Sequence, residues 1–290
     1  MRIQNILVAG VLCLGVAVRA NAQSEPGLLD NVSLFAGPDG SKQPQDLGIN
    51  ANMGIRFSGN LGFPVLERLG IGGQFGAAVN FSDAAVHVLD QIEGTSRRTQ
   101  TYLTVGAFDR ESGPVSWGLA YDLLLTDYYD SFRLSQLRGE AGFRLSRADE
   151  AGVWFTKDLH GTEAVMAGTP VRLDPITMVN AYSRRTWASG ARTSLWAGVA
   201  NGHQNVVWLL PDNSRDDHVF VYGSELAMPL SPRLEITGAA NFITPTSTGT
   251  VDAFLGVTFY PGKGGMSARG RFAPLLAVAN NPHFAVNLRR

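Results

Sequence analysis

Cys13 is the one cysteine in this 290-residue chain. The segment around it aside, the sequence allows no disulfide and no thiol chemistry. Charge of one sign is also missing: 24 Lys and Arg face 25 Asp and Glu, for a net charge of −1 at pH 7. No long-range field recruits phosphates, so a basic nucleic-acid binder is excluded as the leading reading. Charge is sparse at 17% and hydrophobic residues make up 44%, a composition that packs rather than staying disordered. Long apolar runs are absent too. After the N-terminus no segment approaches the roughly 18 consecutive apolar residues of a membrane helix. A membrane protein built from this chain must therefore be a closed β-barrel. Glycine, by contrast, is abundant at 33 residues, which suits closely spaced strands.

Residues 1–22 read as a cleavable export signal. Arg2 supplies a positive start, Ile6 to Val18 an apolar run, and Ala20, Asn21 and Ala22 the small residues a signal peptidase requires. Leu12 before Cys13 argues against a lipoprotein site. An exported chain without cysteine fits a periplasm or outer membrane.

What the chain has instead is alternation. In "LGINANMGIRFS", Leu47, Ile49, Ala51, Met53, Ile55 and Phe57 occupy every second position, with Gly48, Asn50, Asn52, Gly54, Arg56 and Ser58 between them. The pattern recurs in "LGIGGQFGAAVNFS" (69–82), "VSWGLAYDL" (115–123), "QLRGEAGFRLS" (136–146), "RLEITGAANF" (233–242) and "VDAFLGVTF" (251–259). A period of two is a strand signal that a helix cannot use. Weaker copies at 31–36, 101–109, 152–157, 176–187, 193–200 and 219–228 bring the expectation to about twelve strands. In 176–187 the adjacent Arg184 and Arg185 conflict, since one of them must point the wrong way. "ESGP" (111–114), "SRADEA" (146–151), "ASGA" (188–191) and "PLSP" (229–232) read as tight turns. Between them fall longer links at 37–46, 83–99, 125–132, 158–175, 201–217 and 244–250. Short turns at one rim and long loops at the other describe an up-and-down barrel.

Alternation does not give its own sign. A soluble β-protein buries the apolar face, whereas a membrane barrel turns it toward lipid. Strands of about nine to twelve residues match the ≈ 9–11 needed to cross a bilayer at a steep tilt. Aromatics gather near strand ends (Phe57, Phe81, Tyr121, Tyr128, Tyr129, Phe132, Trp187, Phe242, Phe259, Tyr260), where their rings would form interfacial girdles. The expected fold is all-β: a closed up-and-down antiparallel transmembrane β-barrel of about twelve strands with a C-terminal tail. Its parts are the signal (1–22), the barrel (23–260) and a C-terminal extension or closing strand (261–290).

"SDAAVHVLDQIEGTSRRTQTYLTVG" (82–106), "WGLAYD" (117–122), "NFITPTSTGTVDAFLGVTFYPG" (241–262) and "GRFAPLLAVANN" (270–281) carry a resemblance. The chain resembles bacterial outer-membrane β-barrel proteins, and within them an uncharacterised family of exported proteins known as a domain of unknown function. The resemblance implies a barrel in the outer membrane, with membrane lipid and the outer-membrane assembly machinery as partners, and assigns no chemistry. It has one departure. Barrels of this kind end on a strand whose last residue is aromatic, whereas this chain runs past Tyr260 to "FAVNLRR". Either the tail is an appendage or Phe284–Leu288 forms a closing strand.

Arg56, Asp122, Arg138, Glu140, Arg144, Glu225, Arg233, Glu235 and Asp252 fall on the polar face and are the expected lumen-facing residues. Their signs nearly cancel, which predicts weak selectivity among small solutes, or ion pairs such as Arg138–Glu140 and Arg233–Glu235 that brace the wall. No enzyme is expected, and no cofactor or metal. The five histidines lack paired ligand spacing, although "DDH" (216–218) is a fragment of one. No G-x-S-x-G occurs, and "GIGGQFG" (70–76) sits inside a strand pattern without phosphate-loop spacing. "SDAAVHVLDQIEG" (82–94) has helical spacing at Val86, Leu89 and Ile92, which suggests a short helix at the rim. The function expected is a narrow, weakly selective, porin-like channel. The alternatives are a non-conducting structural or surface-binding barrel and a soluble periplasmic β-protein. Heat-modifiable gel migration and recovery only with detergent are the expected outcomes; a heat-insensitive band in the soluble fraction would sink the barrel reading.

Overall fold

The computed structural model describes residues 28–46, 51–85, 95–110, 113–166, 168–204, 215–244, 250–262 and 270–289. The signal at 1–22, most of the expected helix at 82–94 and residues 47–50 of the first alternating stretch lie outside these.

Twelve strands form one closed antiparallel barrel. In chain order they are β1 (Val32–Lys42), β2 (Asn52–Leu66), β3 (Ile71–Ala84), β4 (Arg97–Asp109), β5 (Val115–Asp127), β6 (Ser131–Arg144) and β7 (Asp149–His160). A hairpin outside the barrel follows, β8 (Thr162–Met166) and β9 (Thr169–Pro175). The wall then resumes with β10 (Met178–Thr186), β11 (Arg192–Gln204), β12 (Arg215–Ser231), β13 (Leu234–Thr244) and β14 (Thr250–Phe259). Each wall strand pairs with its neighbour in sequence, β7 with β10 across the hairpin, and β14 with β1 to close the ring. In hydrocarbon an unpaired main-chain group costs several kcal/mol, and closure leaves no open edge.

The alternation resolves its sign. Met53, Ile55 and Phe57 are exposed on the outer surface, while Asn52, Arg56 and Ser58 between them are buried. β5 repeats this, with Val115, Trp117, Leu119 and Tyr121 outside and Ser116, Ala120 and Asp122 buried. A belt of large apolar side chains facing outward around a closed barrel is the lipid-facing surface of an outer-membrane β-barrel. Among the described residues no helix is long and apolar enough to cross a membrane.

Several boundaries differ from the sequence expectation. β1 runs through "PDG" (38–40), a turn signal in isolation, because β2 and β14 pair with it on both sides. β2 continues past Asn60 and through Pro64 to Leu66, with a register irregularity between Pro64 and Leu66. The link expected to be long at 125–132 is only Tyr128–Asp130. Tyr128 and Phe132 are buried inside rather than girdling the barrel, as is Tyr260. Phe57, Phe81, Tyr121, Trp187 and Phe259 are exposed on the outside. The conflict in β10 is resolved by the interior: Arg184 is held inside by Glu140 and Glu150, and Arg185 lies outside over the Trp187 ring at 5.0 Å.

Past Tyr260 the chain neither closes the barrel nor stays outside it. β15 (Val286–Arg289) pairs with β9 in a three-stranded sheet, β15-β9-β8, separate from the wall. The wall itself carries a direct test. Leu103 faces outward mid-way along β4 between Ala77 and Leu123, and Leu103→Arg is expected to destabilise the vesicle-inserted barrel by about 2–4 kcal/mol. Denaturant titration reads the cost; a loss under about 0.5 kcal/mol would argue against lipid contact there.

Candidate functional site

The interior is divided along its length. The turns at 67–70, 110–114, 145–148, 187–191 and 232–233 share one rim, and the longer connections share the other, together with the short Tyr128–Asp130 link. Toward the long-loop rim a large part of the interior is apolar, against expectation. Tyr102, Leu124, Leu134, Met166, Leu173, Phe284, Val286 and Leu288 form one buried cluster. Ile176, Met178, Val219, Val221 and Ile243 join Trp154, Trp196 and Ala285 in another. These inward positions are apolar because the C-terminal tail and the β8–β9 hairpin pack against them.

The tail threads the bore from one rim to the other. At the short-turn rim Arg110 donates to the Ala273 and Pro274 carbonyls at 3.2 and 3.1 Å. Deeper, Gln74 clasps Leu276 from both sides, its amide donating to the carbonyl and its oxygen accepting from the N–H. Arg138 donates to the Ala277 carbonyl at 2.6 Å. The Asn60 oxygen accepts from the Val278 N–H at 2.6 Å, and the Thr104 hydroxyl from the Ala279 N–H at 3.0 Å. Toward the far rim Gln136 donates to the His283 carbonyl at 2.7 Å, and the Gln43 oxygen accepts from the Val286 N–H at 3.1 Å. The Asn281 amide donates to Asp39 at 2.7 Å, and the Asn281 oxygen accepts from the Tyr102 hydroxyl at 2.7 Å. Wall side chains thus take over the main-chain pairing a strand neighbour would supply. Phe284, Val286 and Leu288 are fully buried, each worth about 1.5–3 kcal/mol. Gly76 has a packing reason: a β-carbon there would sit 2.7 Å from Val278 Cβ.

The expected lumen-facing residues separate into three groups. Arg56, Asp122, Arg138, Glu235 and Asp252 are buried, and Glu140 and Glu225 are partly buried. Arg144 and Arg233 are exposed at the short-turn rim, Arg144 ending β6 and Arg233 in the turn before β13. Position parity is not enough at a strand end, where a long side chain reaches solvent. The ion pairs are cross-strand rather than along one strand. Arg138 pairs with Asp122 through two bonds of 2.8 and 3.0 Å, not with Glu140. Glu140 and Glu150 share Arg184 at 2.9 and 2.6 Å, with the Tyr182 hydroxyl donating to Glu150 at 2.7 Å. Arg192 meets Glu225 at 3.4 Å. Glu235 accepts from Thr237 and from the Tyr260 hydroxyl, each at 3.3 Å. Asp252 accepts from Gln43 at 2.9 Å.

Two further buried groups escape the alternation argument. Arg98 and Asp46 pair at 2.9 Å. Asp46 lies in the connection after β1; burial pushes its carboxyl above the ordinary carboxylate range, and the Arg98 guanidinium pulls against that. His283 rides on the tail, its ring centroid 5.4 Å from Trp154 and 6.4 Å from Trp196. Among the described residues no cluster of three or more His, Cys, Asp or Glu could hold a metal ion. The side chains of "DDH" (216–218) are outside the described ones.

A cavity of about 160 Å³ remains beside the tail, toward the short-turn rim. Its walls come from β1, β2, β6, β7 and β10–β14 on one side and from residues 273–277, Asn280 and His283 of the tail on the other. Trp154, Trp196 and His283 line it, and the apolar cluster to which both tryptophans belong fills the bore beyond.

Residues 31–286, the whole wall and the tail's path through it, match one family of proteins. The chain belongs to DUF6666, a family of unknown function. No curated protein matches the sequence. Solved structures of similar fold include the KdgM porin in complex with disordered oligogalacturonate, at 5% identity and TM-score 0.46, covering 79% of this chain and 98% of that one. The NanC porin is similar at 8% identity and TM-score 0.44, covering 78% and 98%. The outer membrane phospholipase A from Escherichia coli is similar at 8% identity and TM-score 0.41, covering 78% and 95%.

The buried pair within this DUF6666 barrel can be measured. Asp122→Ala strands the Arg138 guanidinium and is expected to cost about 3–5 kcal/mol in chemical denaturation. Arg144→Ala, exposed at the rim, should stay within about 0.5 kcal/mol.

Proposed function

We propose that this protein is a porin-like barrel of the bacterial outer membrane whose bore is closed by its own C-terminal segment, small solutes passing when that segment moves. One observation carries the reading: residues 273–289 run through the lumen from rim to rim, held chiefly by hydrogen bonds from wall side chains to the tail's main chain. Exchangeable polar bonds of this kind hold the segment without a covalent link, and each contributes a net of only about 0.5–1.5 kcal/mol. The division 23–260 and 261–290 is then functional, a conduit followed by its plug. Residues 1–22 direct export, and the assembly machinery of the outer membrane inserts the barrel. The short-turn rim faces the periplasm, as in barrels whose longer loops are extracellular. The tail enters from that side and ends against the β8–β9 hairpin at the outer mouth.

The same tail contacts favour a second reading, a permanently sealed structural barrel, because the plug is tied at both rims. A reducible lock in the full chain separates the two. Leu173→Cys with Leu288→Cys, directly paired across β9 and β15, ties the tail to the hairpin in an otherwise cysteine-free mature protein. Planar-bilayer recordings are expected to stay silent when the pair is oxidised and to show conductance steps, as for the unmodified protein, after reduction. Silence in both states and in the unmodified protein would leave the sealed barrel.

A further inference from the structure

The buried arginines of the barrel share a rule with one exception. Arg98 has Asp46 at 2.9 Å, Arg138 has Asp122 at 2.8 Å, Arg184 has Glu140 at 2.9 Å and Glu150 at 2.6 Å, and Arg192 has Glu225 at 3.4 Å. Among the described residues Arg56 has no carboxylate within salt-bridge distance, although it is only 3% exposed. Among the described residues its one hydrogen bond, to the Val278 carbonyl, is 3.5 Å long, the outer limit for such a bond, and its Nε has no partner. Asp39, whose charge lies nearby, is bonded instead to the Asn281 amide at 2.7 Å. The guanidinium lies over two aromatic rings, 5.4 Å from the Phe35 centroid and 5.1 Å from that of Phe254. A guanidinium carries five donors in a planar fork suited to a carboxylate, and burying one unpaired costs several kcal/mol. Ring faces offset only part of this cost.

Arg56, Phe35 and Phe254 all line the cavity beside the tail. At about 160 Å³ that space admits a molecule the size of one six-membered ring, since a cavity of about 150 Å³ accepts benzene. Its walls pair apolar faces, Trp154, Trp196 and Phe254, with hydroxyls and with three carboxylates that already have partners, Glu140 with Arg184, Glu225 with Arg192 and Glu235 with the Tyr260 hydroxyl. At its short-turn end Asp30, Asn31 and Ser33 join the lining, which places the cavity at the periplasmic vestibule of the proposed orientation.

We infer that this vestibule is a binding site for a small ring-bearing organic anion, its carboxylate held by Arg56 and its ring packed against the aromatic wall. The site exists in the plugged barrel, so it stands independently of whether the tail ever leaves. A ligand there lies against residues 273–277 of the tail and the Val278 carbonyl, and a carboxylate takes donors that now reach that carbonyl at the limit of bonding.

Titration calorimetry on the detergent-solubilised full chain tests the assignment, with benzoate as the probe. Saturable binding of benzoate is expected, with no binding of benzylamine or benzyl alcohol, which share the ring without the anion. Arg56→Gln should weaken benzoate binding about ten- to a hundredfold. Gln43→Ala removes a bond to the tail at Val286, beyond the cavity lining, and should leave binding unchanged, which separates loss of the anion's partner from a loosened tail. Heat-modifiable migration checks that each variant is folded. Should Arg56→Gln fail to fold, Arg56→Lys keeps the charge without the fork and is expected to bind more weakly than the unmodified protein. No heat with benzoate, equal affinity in Arg56→Gln, or equal affinity for benzylamine would overturn the proposal. None of these readouts depends on conductance, so failure of the channel reading is told apart from failure of the site.

Discussion

Main-chain hydrogen bonding under low dielectric governs both parts of this molecule. In the wall each N–H and C=O meets a neighbouring strand, and the β14–β1 pairing removes the last open edge. In the bore the tail has no neighbouring strand for most of its course. Its polar main chain is buried only because Gln74, Arg138, Asn60, Thr104, Gln136 and Gln43 are aimed at it. Where the tail leaves the ring of wall side chains it returns to ladder pairing, as β15 against β9. The same accounting explains why the inward residues of β2–β6 include so many amides and hydroxyls rather than charges alone.

The interior charges follow a second constraint. A buried ion needs a partner, and partners come across strands, where side chains at paired or diagonal positions lie closest. Arg138 thus finds Asp122 on the adjoining strand, and Arg184 draws Glu140 and Glu150 from two other strands. These networks brace the short-turn half of the lumen, while in the other half aromatic and aliphatic packing sits beside the buried Arg98–Asp46 pair. The tail runs along one side of the braced half and leaves the vestibule on the other. Arg56, bonded weakly to the tail and lying over two rings, stands at the boundary between them.

Much of the barrel was legible in the residues. The number of wall strands, their outer and inner faces and the closed form followed from alternation, export and strand length. Buried Arg56, Asp122, Arg138, Glu235 and Asp252 all sit at positions the alternation assigned to the polar face. Boundaries were less legible where a local turn signal competed with pairing, as at "PDG" in β1. The hairpin at 162–175 and the path of the tail were not legible, because neither has a periodicity of its own; each acquires its structure from the other. Arg98 went unmarked as an interior residue because it fell in the expected link at 83–99, and Arg184 and Trp196 because their strands alternate weakly.

Alternation is a property of local covalent geometry: successive side chains in an extended chain point to opposite sides, so a dozen residues reveal their two faces without reference to the rest. That much, with the single cysteine and the absence of helix-length apolar runs after the N-terminus, the sequence determined unaided. Which residues meet across the bore is a matter of closure and chain path. Gln74 and Leu276 are 202 residues apart, and Gln43 and Val286 are 243 apart. Contacts at that separation exist only once twelve strands have closed and the chain has turned back inside them, so only the tertiary structure could show that the barrel is filled by its own end.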